Sequence, residues 1–233
     1  MNKVILLGMA AVGLSVAACG DSNDDQGHVR LLNASPNSPT LNVAVDGEVS
    51  NQDVSFSGLS QYVPVESGSS QEISVNTSGT DVPVFTLATD VGRRTDYLLV
   101  AVGDISAVEP ILLVTDRNPA PYNRARIRVI HAAPSASEVD VYVTGVDQTV
   151  FDTAPVLEGI SYKSATQYVE TESGAYNVFV TAAGTKNVVV EAQNVFFATR
   201  SVTTVAALDA PQGGSPFSLR FIADWLIIPK QDF

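Results

Sequence analysis

Few residues in this 233-residue chain are of the types that usually carry catalysis. There are two histidines, His28 and His131, and one cysteine, Cys19, set against 25 carboxylates. A zinc site built from histidine and cysteine needs several such ligands at close spacing, and these three positions do not supply them. No Gly-x-Ser-x-Gly elbow occurs, and a serine triad around either histidine lacks an identifiable partner. No glycine-rich loop joins a strand to a helix, so a nucleotide phosphate has no cradle. Nothing marks out a carboxylate pair for glycoside hydrolysis. His131 falls at the end of a strand-like segment, where its expected role is a hydrogen bond at a sheet edge. Asp140 lies on the face opposite Val139, Val141 and Val143, either as a solvent-facing strand acid or as part of a contact surface. Tyr142 shares that face and, like Tyr162 and Tyr168, either covers a sheet or stacks on a sugar or peptide. The candidate ligand or partner surface is therefore His131, Asp140 and Tyr142; no catalytic residue, metal or cofactor is expected.

The elements that position these residues are written twice. Residues 29–47 align without a gap onto residues 127–145, with Arg30/Arg128, Ala34/Ala132, Pro36/Pro134, Val43/Val141, Val45/Val143 and Gly47/Gly145 identical. This is a duplicated module. Further echoes follow in the same order: Gly58-Leu-Ser with Gly159-Ile-Ser, Glu66-Ser-Gly with Glu172-Ser-Gly, Gly79-Thr with Gly184-Thr, and Leu113-Val-Thr-Asp116 with Phe221-Ile-Ala-Asp224. Their offset grows from 98 toward 108, which places insertions in loops. Residues 41–46 alternate apolar and polar, the period of a half-buried strand, and Asp46-Gly47 is a turn. Other strand candidates are 62–66, 72–76, 82–89, 97–102 and 111–115. No stretch of a dozen residues carries a helical stripe. Short strands at spacings near ten, separated by turn residues, predict an all-β protein of two tandem antiparallel β-sandwiches.

The N-terminus is a separate matter. Lys3 precedes an apolar run over residues 4–18, too short to span a bilayer comfortably and of secretory dimensions. Its end, Leu14-Ser-Val-Ala-Ala-Cys19, resembles the lipobox of bacterial lipoproteins. That resemblance implies acylation of Cys19 as the first mature residue, and Gly20 after it favours the outer membrane. The alternative is an ordinary signal peptide followed by an odd free thiol. Removing residues 1–18 takes away only Lys3, leaving 12 basic against 25 acidic residues, or −13. Such acidity repels nucleic acid and anionic headgroups, so membrane attachment is expected through acyl chains alone. Asp21, Asn23 and Asp25 alternate as in a calcium loop. However, Gly27 comes one place late, and Leu32 stands where a bidentate Glu is needed.

Residues 127–145, with His131-Ala-Ala-Pro134 and Val139-Asp-Val-Tyr-Val143, resemble the bacterial family called domain of unknown function 4397. The first copy departs from that pattern at Asn33 and Asn42, but residues 92–103 are similar to the family's later strand and glycine turn. The resemblance implies tandem immunoglobulin- or transthyretin-like sandwiches on exported proteins, and no catalytic residues. The expected organisation is a signal peptide at 1–18, an acidic tether at 19–27, a first module at 28–117, a Pro-containing linker at 118–124, a second module at 125–224 and a tail at 225–233. The expected function is a non-enzymatic, lipid-anchored envelope protein in an adhesion, scaffold or binding role. Its expected partners are the membrane, through Cys19, and an envelope protein or glycan. The alternatives are a carbohydrate-binding module or a periplasmic hydrolase.

Overall fold

The computed structural model describes residues 25–80 and 82–225. Sixteen strands make four four-stranded sheets, two per module. Module 1 contains β1 (Gln26–Ala34), β2 (Leu41–Val45), β3 (Glu48–Val54), β4 (Val63–Glu66), β5 (Gly68–Thr77), β6 (Pro83–Val91), β7 (Asp96–Val102) and β8 (Glu109–Thr115). Module 2 repeats them as β9 (Arg124–His131), β10 (Val139–Gly145), β11 (Leu157–Ile160), β12 (Val169–Glu172), β13 (Gly174–Ala182), β14 (Val188–Phe197), β15 (Val202–Leu208) and β16 (Ser218–Trp225). The outer sheets run β3-β2-β5-β6 and β11-β10-β13-β14; the inner sheets run β4-β1-β7-β8 and β12-β9-β15-β16. The all-β sandwich expectation holds. One pair in each inner sheet, β1–β7 and β9–β15, is parallel, and the other pairs are antiparallel.

The central strands are buried on both faces. In β1, Val29 and Leu31 enter the core of module 1, while Leu32 and Ala34 point the other way. In β7, Tyr97, Leu99 and Ala101 face that core, whereas Leu98, Val100 and Val102 oppose it. Module 2 repeats the split, with Ile127 and Val129 facing its own core and Ile130, Ala132, Ala206, Leu208 and Ile222 facing outward. The two outward sets form one buried cluster, so the inner sheets stack face to face across the module junction. Each Leu or Ile fully buried there contributes about 1.5–3 kcal/mol. Strands buried on both faces read as continuous apolar runs, and Leu98-Leu-Val-Ala-Val102 is such a run. The Pro-containing connector is thus no spacer holding two modules apart. Its Ala120 is buried, and the Ala120 N–H donates to Arg200 O at 3.1 Å.

Element bounds sharpen the expected organisation. Gln26 and Gly27 belong to β1 and not to a tether, Arg124 opens β9, and Trp225 closes β16. The expected signal peptide, Cys19, the Asp21 and Asn23 of the calcium reading, and residues 226–233 lie outside the described residues.

Hydrogen bonds also correct two pairings between the copies. Asn33 N donates to Gly58 O and Ser60 N to Leu31 O, just as His131 N donates to Ser164 O and Thr166 N to Val129 O. Gly58 therefore corresponds to Ser164, and Gly159 to Asp53, both of which hold positive φ, at +60° and +49°. Gln61-Tyr62 then matches Gln167-Tyr168. Near the end, Leu98 pairs with Leu113 and Thr204 with Ile222, across strands whose Arg30 and Arg128 are equivalent. Leu113 thus corresponds to Ile222, not Phe221. A slip of one residue exchanges the two faces: Ile222 enters the junction and Phe221 the core of module 2.

Candidate functional site

His131 is the last residue of β9 and is fully buried. Its Nδ1 accepts from Ala133 N at 3.4 Å, so the proton sits on Nε2, which donates to Ser137 O at 2.9 Å. Asn33 performs the same task in module 1. Its Oδ1 accepts from Ser35 N at 3.1 Å and its Nδ2 donates to Pro39 O at 3.4 Å, again two and six residues downstream. Imidazole and carboxamide both offer an acceptor and a donor at this spacing, which is why the turn accommodates either. The ring meets Tyr162 edge-on with centroids 6.0 Å apart. Both nitrogens are committed, and the ring presents no surface to a ligand.

Asp140, the second residue of β10, is also buried. Its Oδ1 accepts from Gly159 N and its Oδ2 from Gly184 N, each at 2.8 Å, which ties two loops to the strand. Asn42 occupies the equivalent place, its Oδ1 accepting from Gln52 N and Asp53 N at 2.7 Å. Tyr142 lies two residues on and is buried with Val150 and Phe179. Their counterparts on the outer face of module 1 are the small Ala44 and Ser74.

The cover over Tyr142 is an insertion. The offset between the copies is 98 at Gly47/Gly145 and 106 at Asp53/Gly159, so module 2 carries eight extra residues between β10 and β11. With three flanking residues they form a strap, 146–156, folded onto the outer sheet. Lys186 Nζ donates to Val150 O at 2.5 Å and to Thr153 O at 2.8 Å, and sits 4.4 Å from the centre of the Tyr142 ring. Asn177 Nδ2 holds the other end through Val146 O at 3.0 Å. Between strap and loops lies an open cleft of about 660 Å³, lined by Asp140, Tyr142, Pro155, Glu158, Thr185 and Lys186 among others. The structure therefore brings Asp140 and Tyr142 together at one cleft and leaves His131 out of it. Lys186 and the strap were missed by sequence reasoning, although the growing offset was their signal.

A second polar cluster sits at the junction. Arg30 Nη2 reaches across to Asp224 Oδ1 at 2.8 Å and Ala223 O at 3.1 Å, while Arg128 Nη1 reaches the other way to Val114 O at 2.8 Å. Each guanidinium lies over a tyrosine of its own module: Arg30 is 4.9 Å from the Tyr62 ring and Arg128 4.7 Å from that of Tyr168. Tyr168 OH donates to Asp224 Oδ2 at 2.8 Å, and Thr204 Oγ1 donates to the same oxygen. Burial, then the Asp224 charge, pushes the Tyr168 phenol well above the ordinary tyrosine range. Asp224 stands where β16 bulges against Val202 and Thr203, which turns its carboxylate inward. The identity of Arg30 and Arg128 in the repeat was the sequence trace of this cluster. Among the described residues no group of three or more His, Cys, Asp or Glu could hold a metal ion, and no helix is long and apolar enough to cross a membrane.

A strand-built double module with a buried arginine pair and one strapped outer face defines the class. The chain matches the family described as Domain of unknown function (DUF4397) over residues 27–142 and 143–232, and it belongs to that family. The two matched segments meet inside β10; the sheets divide the chain earlier, at the connector before Arg124. No curated protein matches the chain. Among solved structures it is similar to the Bacillus anthracis TIE protein, at 8% identity and a TM-score of 0.24, covering 79% of this chain and 34% of that one.

Proposed function

We propose that this chain is a lipid-anchored envelope protein, held in the outer membrane by acyl chains on Cys19, and that module 2 presents a non-catalytic binding surface at its strapped cleft. The observation that carries the binding reading is asymmetry. Two modules share one framework, yet only module 2 has the insertion, the Tyr142 ring lining the cleft over a buried Phe179, and the Lys186 clamp. Binding is favoured over hydrolysis because the groups best suited to proton transfer are engaged. Both His131 nitrogens and both Asp140 oxygens are occupied by backbone partners. An open cleft with hydroxyl, carboxylate and ammonium groups suits a glycan or an envelope protein segment.

The test compares equivalent positions. A photocrosslinking side chain at Thr185, on the cleft, and one at Thr80, its counterpart in module 1, are activated in cells. A specific protein or glycan adduct at 185 and none at 80 supports the reading; the same adducts at both positions sink it. Incorporation of labelled palmitate, lost in Cys19→Ser, tests the anchor, and unchanged incorporation in that variant would remove it.

A further inference from the structure

The chain is acidic overall, but its charges are unevenly placed. Of its 13 Lys and Arg, Lys3 and Lys230 lie outside the described residues, leaving 11. Six of these, Arg93, Arg94, Arg117, Arg124, Arg126 and Arg200, gather at one end of the stacked sheets. Hydrogen bonds fix their proximity. Arg94 N donates to Gln26 O, Arg117 Nη1 to Arg94 O, Arg200 N to Arg124 O and Arg126 Nη1 to Asp116. Arg30 and Arg128 lie just inside the same end, so Lys163, Lys186 and Arg220 are the basic residues of all the rest. Asp25 pairs here with Arg93, Asp96 with Arg117, and Asp116 and Glu170 with Arg126, while Glu66, Asp90 and Glu172 stand at the same end, so that positive and negative charges are about equal in number.

Two aromatic side chains stand out from this arginine-rich end: Tyr122 is 75% exposed and Phe196 is 71% exposed. The pairing of Gly174 with Phe197 and the bond from Ser173 N to Asn123 O place them beside one another's loops. The described residues begin here at Asp25, beside Gln26, and end here at Trp225, which pairs with Val202. Only five residues lie between Cys19 and Asp25, so even a fully extended segment reaches about 20 Å. The cleft of module 2 opens at the other end, where β9 has already turned into β10.

We infer that this end is a membrane-docking face, on which Tyr122 and Phe196 enter the headgroup layer of the phospholipid bilayer that holds the acyl chains. The inference rests on the proposed acylation of Cys19. Aromatic rings favour the membrane–water interface, and arginine stems lie along it while their guanidiniums meet phosphate. Charges that are balanced at this end and acidic elsewhere orient the molecule with its cleft away from an anionic surface. An acyl anchor gains a second attachment in this way. It also makes the orientation of the cleft a built property of the fold.

The experiment uses the full acylated chain in vesicles of phosphatidylethanolamine and phosphatidylglycerol. Spin labels are placed singly at Tyr122→Cys, Phe196→Cys and Thr185→Cys, and attachment is checked by flotation. Labels at 122 and 196 are expected to lose access to an aqueous nickel chelate severalfold on attachment and to gain access to lipid-soluble oxygen, with 185 unchanged. A floating protein whose three labels stay equally exposed to water overturns the docking face and leaves the anchor standing. A chain that does not float because Cys19 carries no lipid overturns both.

Discussion

Module 1 and module 2 solve the same packing problem with different side chains, and the differences show which positions are framework. Where the two copies need an acceptor for two backbone N–H groups, one uses Asn42 and the other Asp140. Where a turn needs a donor and an acceptor, one uses Asn33 and the other His131. Chemistry that looked specific in one copy is thus a local hydrogen-bonding requirement common to both. The real divergence is elsewhere: an eight-residue insertion that makes a strap over Tyr142 and Phe179, and a bulge that places Asp224 between two buried arginines.

The largest expected effect tests the junction. Asp224→Ala leaves Arg30 and Arg128 buried without their shared carboxylate, and should cost about 3–5 kcal/mol in urea unfolding. Asp116, the acid at the rim of the junction, pairs with a quarter-exposed Arg126. Its removal should cost about 0–1 kcal/mol. Equal losses from the two variants would mean that the junction does not depend on the buried charge.

The equivalence of His131 and Asn33 is tested next. His131→Ala strands Ser137 O and Ala133 N and should cost roughly 2–3 kcal/mol, whereas His131→Asn should cost less than about 1 kcal/mol. Thermal or urea melts of both variants decide it. If Asn were as damaging as Ala, the imidazole would have a role that its twin lacks.

The duplication, the all-β class and the strand positions were legible because apolar alternation and turn residues record them directly. The stacking of the modules was less so. Leu98-Leu-Val-Ala-Val102 reads as a buried strand, but nothing local says that its second face meets another copy of itself. The pairing of Leu113 with Phe221 failed because a bulge shifts register without changing residue types. Asp140 and Tyr142 were found by their face, and the strap that encloses them was visible only as a change of offset. Lys186 lies 44 residues beyond Tyr142, and no periodic signal joins the two.

The strap gives a smaller and more local expectation. Lys186→Met removes two hydrogen bonds to strap carbonyls, each worth about 1 kcal/mol. Amides and protease sites over 146–156 should open in hydrogen exchange, while the β2–β3 hairpin of module 1 stays unchanged. Protection that persists in the variant would show that Val150 and the apolar contacts hold the strap without the clamp.

The finest comparison is between the two tyrosines under the arginines. Tyr168 OH donates to Asp224, whereas Tyr62 OH is buried with no hydrogen-bond partner. Tyr168→Phe should therefore cost about 1–2 kcal/mol and Tyr62→Phe close to nothing, because a lost partner matters and an unmade bond does not. Burial raises both phenols above their ordinary range. The folded chain accordingly keeps protons that the unfolded chain gives up. The stability from each ring is complete below about pH 10 and falls as pH climbs above it toward the folded value. Urea midpoints followed from pH 8 to pH 11 should decline for the natural chain and decline less for each Phe variant. While both folded phenols keep their protons the two variants should flatten the decline alike; the Asp224 contact holds the Tyr168 proton to higher pH, so its contribution goes on falling after that of Tyr62 has levelled off. If both contributions levelled off at the same pH, the Asp224 contact would add nothing to the burial that both rings share.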